Sequence, residues 1–119
     1  MSVERIEAAI AKLETLKAES TPGPWRLARA QHVTHAIYGE KPGQEVIGST
    51  PRYGGLWSAD DGELIVTLHR TIDAQLAILR AVVESVPIWV ENDGPMTDAE
   101  LVDNLLFELA LADAILGES

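Results

Sequence analysis

Three histidines, His32, His35 and His69, are the side chains of this 119-residue chain with the most chemistry to offer. Neutral imidazoles bind zinc, and three of them with a bound water would make an open catalytic centre. The spacing works against that use. In an extended strand positions three apart face opposite sides, so His32 and His35 could share a metal only where the chain bends. His69 and Asp73 stand four apart and would form a two-ligand patch on one helix, yet the same segment reads equally as hydrogen-bonded surface. The expectation is a set of solvated or structurally bonded histidines and no metal.

Carboxylates cluster twice, as Asp60, Asp61 and Glu63 and as Asp98, Glu100 and Asp103. Paired acids can serve glycoside hydrolysis or hold magnesium when they converge on one atom. Both clusters fall at predicted helix starts, where acids complement the positive end of the helix dipole, and capping accounts for them without a substrate. Glu91-Asn92-Asp93-Gly94 supplies only a fragment of a calcium loop, lacking the alternating ligands and the closing glutamate. No Gly-rich phosphate loop, nucleophile elbow or HExxH pattern occurs. The absence of cysteine removes thiolate nucleophiles, thiolate metal sites and disulfides. The chain is therefore expected not to be an enzyme and to carry no cofactor. The rival reading is a small metal-dependent or hydrolytic enzyme built from His32, His35, His69 and the acids at 60–63.

The elements that must position these residues follow from periodicity. Val3, Ile6, Ile10, Leu13 and Leu16 recur at helical spacing and predict a first helix over 3–19, halted by Ser20-Thr21-Pro22-Gly23-Pro24. From Trp25 to Thr50 the β-branched and aromatic content predicts a hairpin or three-stranded antiparallel meander, with a turn at Glu40-Lys41-Pro42-Gly43. Residues 50–57 read as a loop. Ser58 to Asp61 resembles a helix start. Leu64, Ile65, Leu68, Ile72, Leu76, Leu79, Val82 and Val83 then predict one long second helix ending before Pro87. Thr97 to Glu100 forms a capping box, followed by Val102, Leu105, Leu109, Ala112 and Leu116 at helical spacing, with Gly117 as C-cap. The expected fold is α+β: a small antiparallel sheet packed against three amphipathic helices, in the order α-β-β-(β)-α-α, as a single domain over 1–119. Trp25, Trp57 and Trp89 read as bulk for its core.

The net charge of −10 is unevenly distributed. Residues 1–58 hold seven basic against six acidic groups, whereas residues 59–119 hold thirteen acids against Arg70 and Arg80 alone. That imbalance argues against direct contact with nucleic-acid phosphates or anionic lipid and favours a basic, DNA-binding for instance, protein partner. Asp98, Glu100, Asp103, Glu108 and Asp113 are the candidate interaction residues, on a helix face that is otherwise simply solvated. No apolar run reaches the roughly 18 residues of a membrane span, and the first twenty residues lack the apolar stretch of a secretory signal, so a soluble, unexported chain is expected.

Thr21-Pro22-Gly23-Pro24-Trp25 after a first helix, a variable hairpin region, then Ala59-Asp60-Asp61-Gly62-Glu63-Leu64-Ile65-Val66 leading into Ile72-Asp73-Ala74-Gln75-Leu76-Ala77-Ile78-Leu79 form an ordered set. In that order they resemble small accessory proteins of actinobacteriophages and, more distantly, Ead/Ea22-like phage proteins. The resemblance covers residues 1–85. Leu68-His69-Arg70-Thr71 departs from the alanine-rich run of the second group, and the last helix lies outside it. It implies a non-structural bacteriophage accessory protein working in the host cytoplasm and transfers no functional residue. With the charge pattern, the expected function is protein–protein interaction with a host or phage factor, by a homo-oligomer. Physically, the Pro22-Gly23-Pro24 turn is expected to fold Trp25 back against the second helix.

Overall fold

A computed structural model describes residues 2–29, 35–47 and 59–117. The first helix, α1, spans Ser2–Glu19, and three strands follow: β1 (Arg26–Arg29), β2 (His35–Tyr38) and β3 (Glu45–Ile47). Four helical segments complete the order, α2 (Ala59–Arg70), α3 (Ile72–Asp93), α4 (Asp98–Asn104) and α5 (Leu106–Leu116). The pairs α2/α3 and α4/α5 occupy the places of the second and third predicted helices. The arrangement is α+β. The chain divides into two compact units, Lys17–Ile72 and the combination of Met1–Leu16 with Asp73–Ser119.

In the 17–72 unit the strands form an antiparallel meander in the order β1-β2-β3. Arg26 pairs with Tyr38 and Arg29 with His35, and the Arg26 guanidinium lies 4.8 Å from the centre of the Tyr38 ring. The β2–β3 turn falls at the predicted place. Gly39 N–H donates to the Gln44 carbonyl at 2.7 Å, and Gly43 takes a φ of 74°, which a residue without Cβ adopts at no steric cost. Helix α2 packs on β1 and β2. The approach is close at Gly62, where a Cβ would stand 2.4 Å from Leu27 Cδ1. Gly62 and Val66, one turn apart, are therefore the buried positions of α2.

The expected apolar seam is corrected here. Leu64 and Leu68 point outward and are exposed, because the face that meets the sheet is set by Gly62 and Val66. Nor is the second helix continuous. At Thr71 both the amide and the hydroxyl bond to the Leu68 carbonyl, at 3.1 and 2.7 Å, which tightens the last turn and frees the chain to restart at Ile72.

The other unit is a helical core. Ile6 and Ala9 of α1, Leu79, Val82 and Val86 of α3, and Leu105, Leu109 and Ala112 of the C-terminal segments are buried in one cluster. Val3, Ile10, Trp89, Val102 and Leu116 pack against it. Helix α3 passes through Pro87 instead of ending before it. A proline inside a helix removes one backbone bond at a cost of about 3 kcal/mol. Continuing the helix past Pro87 keeps Trp89 against the core that Leu79, Val82 and Val86 form, and covering a large apolar side chain contributes about 2 kcal/mol, which offsets much of that cost. The helix stops at Gly94, whose φ of 87° and N–H bond to the Val90 carbonyl make a C-cap of the segment that resembled a calcium loop. Since Pro87 itself is exposed, Pro87→Ala should restore the bond and stabilise the chain by about 1–2 kcal/mol, raising Tm by several degrees in a circular-dichroism melt. A lower Tm would mean that Trp89 needs the proline to reach the core.

Candidate functional site

The five acids read from the sequence sit on α4 and α5, which the structure separates at Leu105. Thr97 caps α4, its hydroxyl accepting the Glu100 amide at 3.1 Å, as the capping box predicts. Asn104 donates through Nδ2 to the Glu100 carbonyl at 2.9 Å, a side-chain bond at the very end of α4. Leu105 then breaks the run with φ −121° and ψ 29° while remaining fully buried. Gly117, φ 79°, closes α5 in the left-handed conformation expected of it.

Two of the five carboxylates are engaged within the chain. Asp98 Oδ1 accepts from the Ser2 amide at 3.1 Å and from the Ser2 hydroxyl at 2.8 Å, so it caps the start of α1. These bonds favour the ionised form: first the Ser2 hydroxyl and then its amide hold the Asp98 carboxyl below the ordinary aspartate range. Asp113 is bonded to the Arg5 guanidinium. The remaining three, Glu100, Asp103 and Glu108, have no cation paired with them among the described residues. Glu100 and Asp103 are exposed and Glu108 is half-buried.

A pH dependence follows. Because the folded-state pKa of Asp98 is depressed, its contribution is present above the unfolded-state value and is lost as pH falls through the folded-state value. Acid titration of the wild type should therefore show a loss of stability below the ordinary aspartate range that is shallower in Asp98→Asn, measured by urea denaturation at each pH. Equal slopes would remove Asp98 as a source.

One feature was missed by sequence reasoning. Helix α5 is apolar on its inner and outer faces alike: Glu108 and Asp113, on its flanks, are its only charged residues. Its inner face lies in the core, while Leu106 is 58% and Phe107 87% exposed, and Ala110 and Ala114 are exposed beside them. The signal was present in the sequence, since Leu106, Phe107 and Ala110 are apolar residues standing off the Leu105-Leu109-Ala112 seam.

The two histidines among the described residues, His35 and His69, sit in different surroundings. His69, on α2, stacks on Trp25 with ring centroids 3.6 Å apart and planes 8° from parallel. Trp25 Nε1 donates to the Thr21 carbonyl at 2.8 Å, so the Thr21-to-Trp25 turn does fold the indole onto α2 as expected. His35 lies in β2, its Nδ1 buried without a hydrogen-bond partner. His32, Trp57, Ser58 and the 50–57 segment lie outside the described residues. The break at Thr71 falls between His69 and Asp73, so they are not one turn apart on a continuous helix. Asp60 and Asp61 are exposed in the first turn of α2, and Glu63 is exposed just beyond it. Among the described residues no group of three His, Asp or Glu side chains is placed to hold a metal ion. None of the described helices is long and apolar enough to cross a membrane.

Comparison of the chain with protein-family models, with curated proteins and with solved structures returns no match.

Proposed function

We propose that this chain is a non-enzymatic bacteriophage accessory protein that acts in the host cytoplasm by binding a basic host or phage protein through its C-terminal helices, and that it self-associates. The observation that carries this reading is the charge beyond Arg80: nine acids and no lysine or arginine, with Glu100, Asp103 and Glu108 left without a cation among the described residues. Solvated helix faces ordinarily mix signs. A one-signed face repels phosphates and anionic lipid and speeds encounter with a basic protein in a salt-dependent way. In its sharper form, the carboxylates stand in for a nucleic-acid backbone and occupy a DNA-binding protein. The phage origin rests on the ordered resemblance through residues 1–85.

Affinity capture from expressing cells tests the reading. The expected result is a basic protein whose retention falls as salt rises and is lost with the pair Glu100→Lys and Asp103→Lys. Salt-insensitive capture, or none, would overturn it. Light scattering tests self-association, for which a mass that is a multiple of 12.9 kDa is expected and a strict monomer at micromolar concentration counts against it.

A further inference from the structure

We propose that the outer face of α5 is the seat for a basic amphipathic helix of the partner protein, with Phe107 as its anchor. The inference deepens the proposed function and rests on it. Phe107 and, at 100° per residue, Ala114 and Ala110 fall within about 60° of one another, so an aromatic ridge stands beside two small residues on consecutive turns. Leu106 borders the strip on one side. Small side chains beside a large one let a second helix approach closely and lay its own apolar residues along the strip, the helix-in-groove mode of recognition. A surface helix of a folded chain normally presents charge to solvent; this one presents Leu106, Phe107, Ala110 and Ala114.

Charge decides what the occupant is. Glu108 flanks the strip about 100° from Phe107, and α4, immediately before it in the chain, carries exposed Glu100 and Asp103. Asp113, on the other flank, is already neutralised by Arg5. The rim is thus carboxylate on one side and charge-balanced on the other. A second copy seated here would bring the same uncompensated carboxylates to the rim, and an anionic membrane would be repelled. A helix with leucines along one face and lysine or arginine beside them satisfies both the strip and the rim.

Two synthetic helical peptides of about 18 residues, sharing one leucine stripe and carrying either lysine or glutamate on the polar face, probe the seat by titration calorimetry against the whole chain. The lysine peptide is expected to bind with micromolar affinity that weakens at about 0.5 M salt, and the glutamate peptide not to bind. Phe107→Ser, which keeps the charge unchanged, should weaken the lysine peptide by about tenfold or more with no loss of Tm. Wild-type affinity in Phe107→Ser would overturn the proposal, and so would equal binding of both peptides. So would a doubled mass by light scattering that Phe107→Ser returns to 12.9 kDa, which would put a second copy on this face. The two readings separate in the capture experiment. A basic partner kept by Phe107→Ser but lost with Glu100→Lys and Asp103→Lys sinks the seat and leaves the acidic surface standing. A lysine peptide that binds through Phe107 when no basic protein is captured does the reverse.

Discussion

Trp25→Ala should destabilise the chain by about 3 kcal/mol and lower Tm by on the order of 10 °C. Trp25 is half-buried, yet two interactions converge on it and a close approach backs its partner. Its ring lies flat on His69 at 3.6 Å, its Nε1 closes the turn onto the Thr21 carbonyl, and Gly23 leaves room behind the imidazole, where a Cβ would come within 2.8 Å of His69 Cε1. Truncation removes the largest side chain among the described residues of the 17–72 unit and uncovers one face of His69. An aromatic pair contributes about 1 kcal/mol beyond its buried area, and the rest comes from the void. Trp25→Phe keeps a ring on the imidazole and loses the indole hydrogen bond, so it should cost only about 1 kcal/mol. An alanine variant that melts with the wild type would show that the turn holds without its tryptophan.

Leu105→Ala should be of similar size, again about 3 kcal/mol, for a different reason. Leu105 is 0% exposed and sits where α4 gives way to α5, its amide bonding to the Leu101 carbonyl at 2.9 Å and its carbonyl accepting from Leu109 at 2.8 Å. The side chain fills the cluster made by Ile6, Leu79 and Leu109, and neighbours tied down by backbone bonds on both sides close poorly over a cavity. Leu105→Met, of nearly equal volume, should cost less than about 1.5 kcal/mol. Urea denaturation of both variants checks the order. Equal losses would mean that shape, more than volume, is what the site demands.

What the sequence made legible is what local chemistry decides. The proline-rich stop after Glu19, the turn at Glu40 to Gly43, the Thr97 cap and Gly117 all depend on residues within a few positions of one another, and each lies where it was expected. The break at Thr71, the helix running through Pro87 and the outward turn of Leu64 and Leu68 depend on packing, which periodicity alone does not encode. A continuous apolar pattern runs through Thr71, but Gly62 fixes the buried face of α2 independently of the phase of α3. The interaction residues divide in the same manner. Their place along the last predicted helix was readable; that Asp98 and Asp113 are spoken for by Ser2 and Arg5 was not, because those ties span 96 and 108 positions.

The division of the chain has a consequence for its synthesis. Residues 17–72 are contiguous, so every partner in that unit is present as soon as Ile72 has left the ribosome, and its short-range meander and helix can close early. Helix α1 is made before the segments that cover it: Ile6 and Ala9 wait uncovered until Leu105, Leu109 and Ala112 have been made. Until then the nascent polypeptide carries an unsheltered greasy stripe, the natural target of a chaperone and the place where premature aggregation would start.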